Sequence, residues 1–304
     1  MKYEISLSIG AFQRKLGDFA ALAAAKAAGA DIVDFNLEIY SPNKEGCIYS
    51  SGNIDVVAEH FCAVKKYADE MGIRIGQTHG RIKGYKTDEA HNANELLGMK
   101  YDALATSILG SNYCVVHSVH LGLDAAAEDQ RAYNTRMWHD YISIAKEYGI
   151  VLATETFGDT HTPDGRCGID FFGDVTEFIT AYEAIREENG NAPYICTCVD
   201  TGHTNKALRF GNEPTADEMI RRLGSSVGCL HLNDNNGMED EHLVPMAGNI
   251  NWQAVLEALS DIGYNGTYNM ELNLRRFGTS VAIMKEYAAF SVKVMKNMLD
   301  DFYL

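Results

Sequence analysis

Short apolar runs alternate with longer amphipathic stretches along the whole chain. The first run, YEISLSIG at 3–10, predicts a strand, and the alanine-rich stretch 14–28 predicts a helix closed by Gly29. The pairing then repeats. DIVDFNLE (31–38) precedes a helix at 53–71 closed by Gly72, and IRIGQTHG (73–80) precedes one at 88–109 closed by Gly110. YCVVHSVH (113–120) leads to 126–148 and Gly149, and IVLATETFG (150–158) leads to 171–188. YICTCVDTGH (194–203) precedes 215–223, VGCLHLND (227–234) precedes 251–262 and Gly263, and GTYNMELN (266–273) precedes 280–299. Glycine just past a helix supplies the left-handed turn that regular helix-to-strand loops require. Alternating strands and helices predict parallel βαβ units. Eight such units in 304 residues predict an α/β fold, a single (β/α)8 TIM barrel over 1–304. The turn after the first strand, SIGAFQR, offers neither a dinucleotide fingerprint nor a P-loop, which argues against a doubly wound open sheet.

In such a barrel the active site lies at the C-terminal ends of the strands. Ligand-type side chains stand there: Glu38, His79, His117, Glu155, Asp200 with His203 just beyond, His231 and Glu271. Side chains alternate across a strand, so parity tests the placement. Glu155 shares its face with Ala153 and Val151, Asp200 with Cys198 and Cys196, His231 with Cys229 and Val227, and Glu271 with Asn269 and Thr267. The opposite parity carries Leu152, Leu230, Leu232, Tyr268 and Met270, which suit packing under helices. The parity that fills a narrow interior therefore aims the polar end residues at the barrel mouth. Convergent carboxylates and imidazoles predict a bound divalent cation, and mixed O/N ligation suits Mn, Mg, Co or Zn. Taken singly, Asp200 also reads as a cap for the following helix. A second polar stretch, HLNDNNGMEDEHLVPMAGNINW (231–252), predicts a loop pinned at both ends that closes over the mouth.

Composition narrows the partners. The net charge of −16 disfavours a general nucleic-acid-binding face. No run of about 18 uncharged apolar residues predicts a membrane span. The first residues, MKYEISLSIGAFQRK, lack the features of a secretory signal, and seven cysteines without a C-x-x-C pair read as reduced thiols. The expected compartment is the cytoplasm. Homo-oligomerisation is left open.

ETFG, VDTGH, HLND, DEH followed by AGNINW, and NMELN, in this order, resemble the xylose isomerase-like barrels. That superfamily includes sugar and sugar-phosphate isomerases and epimerases, inosose dehydratases and the endonuclease IV branch. The resemblance implies one divalent metal held by Glu155, Asp200, His231 and Glu271. It implies Glu155 and Glu271 as the catalytic acid/base pair, moving a proton beside a carbonyl through an enediolate. His203, His117, His79 and His242 would contact a small carbohydrate substrate. Two departures from the ketose epimerase pattern stand out. Gly237 lies near the place of an arginine after the HL motif, and Asp159 and His161 lie where a second glutamate is expected. Arg275 and Arg276 offer charge for a phosphate or carboxylate. A lyase of the inosose dehydratase or C-glycoside-cleaving type would use the same site. A tri-zinc phosphodiesterase also stays open, because His79, His117, Glu155, Asp200, His203, His231, Asp240, His242 and Glu271 follow the order of the endonuclease IV ligands.

Overall fold

The computed structural model describes residues 3–188 and 190–303. Its strands, in chain order, are β1 (Glu4–Ser8), β2 (Ile32–Asn36), β3 (Arg74–His79), β4 (Tyr113–Val116), β5 (Val151–Glu155), β6 (Asp159–His161), β7 (Cys167–Ile169), β8 (Ile195–Asp200), β9 (Val227–His231) and β10 (Thr267–Met270). The helices are α1 (Gly10–Leu16), α2 (Asp18–Ala27), α3 (Ile54–Glu70), α4 (Glu89–Leu109), α5 (Ala127–Tyr148), α6 (Val175–Glu187), α7 (Thr201–Ala207), α8 (Ala216–Leu223), α9 (Trp252–Asp261) and α10 (Val281–Tyr303). Eight strands form one parallel sheet in the order β10-β1-β2-β3-β4-β5-β8-β9. A parallel bridge between Leu232 and Met270 joins the last strand to the first, so the sheet closes into the expected barrel.

The core divides as the parity predicts. Leu7, Val33, Phe35, Leu230, Leu232, Tyr268 and Met270 pack outward with helix residues such as Leu22, Phe61, Val64 and Leu256. Val115, Ala153, Cys198 and Cys229 form a separate small cluster of interior residues, with Cys196 against it. None of the seven cysteines is in a disulfide. No described helix is long and apolar enough to cross a membrane.

Three local readings differ from the structure. The first helix is broken in two at Gly17, whose φ of 75° no helical residue adopts. The helix expected from 171 starts at Val175, where Asp174 caps it by accepting from the Thr176 and Glu177 amides. The residues before it form an antiparallel β6–β7 hairpin that the sequence pattern did not indicate. The strand expected over 194–203 stops at Asp200, and α7 begins at once. That abrupt switch points His203 back over the strand ends.

Candidate functional site

β5 delivers Glu155, β8 delivers Asp200, and β9 delivers His231, each as its last residue; Glu271 follows β10 by one. Glu155, Asp200 and His231 are fully buried. One ligand atom from each of the four lies within 4.8 Å of the others. His231 Nδ1 stands 3.0 Å from Glu155 Oε1 and 3.3 Å from Glu271 Oε2. Ligands of one small cation, each about 2.1 Å from it, sit about 3 Å apart. These spacings therefore match a shared ion.

Asp200 both caps a helix and faces the group. Its Oδ1 accepts from the His203 amide at 2.7 Å, which starts α7. Its Oδ2 accepts from Asn233 Nδ2 at 2.8 Å. Gly202 makes this approach possible: a Cβ there would lie 1.9 Å from Asn233 Oδ1. Beneath His231, the fully buried Asp34 of β2 places Oδ2 3.5 Å from Nε2, and Asn269 Nδ2 donates to the same oxygen at 3.3 Å. At 3.5 Å the link is long for a hydrogen bond, so it is chiefly electrostatic. It leaves Nδ1 as the nitrogen presented to the carboxylates.

The other histidines gather above. His117 Nε2 lies 3.1 Å from Glu155 Oε2. His79 Nε2 lies 3.6 Å from Glu155 and 3.8 Å from Glu271, and its ring stacks on His231. His203 Nδ1 donates to the Thr156 carbonyl at 3.1 Å while Nε2 faces Asp240. His242, held at φ 47°, donates to the Glu271 carbonyl and Asp240. Phe157 stacks against His203 and meets His117 edge-on.

Burial and mutual charge shape the protonation of this set. Burial alone would raise the Glu155 carboxyl, but the facing His231 and His117 imidazoles hold it well below the usual range. Glu271 is likewise lowered against its burial, by His231 and His242. For Asp200 burial wins over His203 and His242, and its carboxyl is raised. Burial opposes the imidazolium forms, yet Glu155 and Glu271 push His79 up to about 9, and Asp240 with Glu271 pushes His242 up to about 9. His231 and His203 are also raised, chiefly by the thiol and carboxylates around His231 and by Asp200 and Asp240 beside His203.

A cavity of about 360 Å³ opens over these residues. His79, His117, Glu155, His203, His242 and Glu271 line it, while Asp200 and His231 lie in the four-residue group at its base. The loop after β9 folds over one side. Asp234 pins that loop by accepting from Trp252 Nε1 at 2.8 Å and by pairing its backbone with Leu243. Gly248 passes so close to Asn235 that a Cβ would lie 2.2 Å from its carbonyl oxygen. Of the two arginines after β10, Arg275 lines the cavity, whereas Arg276 pairs with Glu241 at 3.4 Å. Glu38 stands at the rim, bonded to Arg14. Asp159 does not reach the group; Lys206 at 2.6 Å and Arg209 hold it.

The family model of the xylose isomerase-like TIM barrel matches residues 22–297. The chain belongs to that family. Among its relatives, an uncharacterized protein of Methanocaldococcus jannaschii, MJ1311, is 43% identical over 171 residues, 51% of this chain and 53% of that protein. A D-psicose 3-epimerase of Ruminiclostridium cellulolyticum is 31% identical over 141 residues, 44% of this chain and 45% of the enzyme. The chain thus spans about half the length of these curated relatives. A solved D-tagatose 3-epimerase-like protein superposes with a TM-score of 0.71 at 20% identity, covering 99% of this chain and 98% of the other. That likeness concerns the fold.

Within this xylose isomerase-like barrel, the residues missed by sequence reasoning are Asp34, Asn233 and Phe157. Asp34 shares the inward parity of Asn36 on β2, and that parity was the available signal. Asn233 gave none, because its target Asp200 is 33 residues away.

Proposed function

We propose that the protein is a sugar isomerase or epimerase that works with one divalent cation, Mn, Mg, Co or Zn, held by Glu155, Asp200, His231 and Glu271. The observation that carries this reading is the convergence of those four ligand atoms within 4.8 Å at the base of the mouth cavity. The residues fit such an ion. Three carboxylates and an imidazole crowd together in or near full burial. Leaving such charges uncompensated costs several kcal/mol, on the order of the desolvation penalty per ion. A bound cation would polarise the substrate carbonyl and stabilise negative charge developing beside it.

The chain's own residues supply the proton handling. One of Glu155 and Glu271 removes the proton next to the carbonyl, and the other returns it. The facing imidazoles keep Glu155 ionised in the metal-free protein, the form that can take up a proton. His79, His117, His203 and His242 offer nitrogen donors to sugar hydroxyls around the cavity. The D-psicose 3-epimerase relative supports a ketose as the substrate class. The test is incubation of metal-loaded protein with ketoses in D2O, read by proton NMR. Deuterium should enter at the carbon beside the carbonyl, with an epimer or aldose as product. Loss of water or of an aglycone instead would mean a lyase, and no exchange with any ketose would sink the reading.

Two further expectations follow from the geometry. The cation must displace a proton from His231, whose pKa is raised in the metal-free protein. A raised imidazole is protonated below its folded pKa, so metal competes with protons there. Metal affinity should therefore rise with pH above the ordinary 6.5, as His231 loses its proton. Calorimetry in buffers of different ionisation enthalpy should register net proton release at neutral pH; no release would contradict the assignment of His231 as ligand. Asp34→Asn should weaken metal binding by about 10- to 100-fold, because it removes the carboxylate behind the imidazole. Unchanged affinity would show that Asp34 has no part in orienting His231.

One observation favours a second reading. His79, His117 and Glu155 form another ligand group, and His203, Asp240 and His242 a third. Three groups suit a tri-zinc phosphodiesterase. Abasic-site DNA cleavage by protein holding three zinc ions would establish it.

A further inference from the structure

A second cavity of about 540 Å³ adjoins the mouth cavity, and Arg14 and Glu38 line both. The loops after β2 and β3 bound it, bringing Ser41, Asn43, Lys44 and Lys83 to its wall. Its charge reverses that of the chain. Arg14, Lys44 and Lys83 face a single carboxylate, Glu38, in a protein of net charge −16. Glu38 is already bonded to Arg14, which fixes the guanidinium in place and neutralises the acid. Lys44 Nζ donates to the Ile39 carbonyl at 3.0 Å, and neither Lys83 nor the Arg275 side chain has an ion-pair partner among the described residues. Arg275 stands on the wall of the mouth cavity itself.

Glu155, Glu271 and Asp240 line the mouth cavity beside its imidazoles, whereas the annex carries more cationic than anionic side chains. An anionic group on a substrate is attracted to the annex. A cleft lined by one sign of charge focuses that attraction. We propose that the annex receives the terminal oxyanion, phosphate or carboxylate, of a ketose whose carbonyl lies over the four-residue group. The carbonyl end of this proposal rests on the isomerase reading; the anion end rests on Arg14, Lys44 and Lys83, which line the annex. The two ends would fix the direction in which the sugar lies, and with it the carbon presented to the glutamates.

The test is calorimetric titration of the metal-loaded protein with D-fructose, D-fructose 6-phosphate and D-fructuronate, which differ at the terminal carbon. One anionic ketose should bind about tenfold more tightly than D-fructose, as expected for two partly exposed charge contacts. That preference should shrink as salt is raised. The doubly substituted Lys44→Gln/Lys83→Gln protein, with its metal content checked, should bring the ratio toward one. Whichever anion holds the preference identifies phosphate or carboxylate. Equal affinity for all three, no affinity for any, or a ratio unmoved by the double substitution overturns the proposal. Failure of the isomerase reading looks different: no ketose exchanges with D2O, while a preference for the anion persists in the binding data.

Discussion

Glu271→Gln and Glu155→Gln should each lower turnover by about a thousandfold, the usual scale for loss of a positioned acid or base. The expectation comes from where the two side chains stand. They stand at the ends of different strands, Glu155 as the last residue of β5 and Glu271 just after β10, and both line the cavity with a carboxylate oxygen near His231 Nδ1. Glutamine keeps the shape and removes the proton-accepting charge. Both residues also belong to the ligand group, so metal content must be measured beside activity. Lost turnover with the metal retained is the result that assigns proton transfer to them. Retained metal together with retained activity would place the chemistry elsewhere.

His231→Ala should have the second large effect, on both metal and stability. The imidazole is fully buried and faces Glu155, Glu271 and Asp34. On the proposed reading, removing it takes away the nitrogen ligand, and metal affinity should fall by more than about 100-fold, beyond the range for loss of an outer-shell partner. In the metal-free protein it also leaves buried carboxylates without their partner. Breaking a buried pair in this way costs about 3–5 kcal/mol. Denaturant unfolding of chelated wild-type and variant protein measures this directly. A variant as stable as the wild type and loaded with metal would show that His231 is not at the centre of the site.

The barrel was legible because its signals are local and repeated. Each strand is a short apolar run, most helices end near a glycine, and inward parity marks the residues that reach the mouth. Cys198, Asp200, Cys229 and His231 illustrate it: alternate positions on adjacent strands place two thiols in the interior and two ligand-type residues above them. The readings that failed were local contests between neighbouring patterns. Gly17 sits inside the stretch 14–28 that reads as one helix, yet its positive φ separates α1 from α2. The β6–β7 hairpin has three-residue strands, too short to show a period; only Thr162-Pro-Asp-Gly165 marked its turn. The supporting residues of the site depend on contacts between distant segments. Asp34 reaches His231, and Gly202 gives way to Asn233, through pairings that only the closed barrel creates. The annex follows the same rule, since Arg14, Lys44 and Lys83 reach one cavity only when the segments after β1, β2 and β3 are brought together.

The proposal stands on one cation held by Glu155, Asp200, His231 and Glu271. Elemental analysis of protein purified without chelators, with His231→Ala protein prepared alongside, is its sharpest test. Wild-type protein should carry about one Mn, Co, Mg or Zn per chain, and the variant little. Three zinc ions per chain, or no metal taken up even on addition, would contradict it.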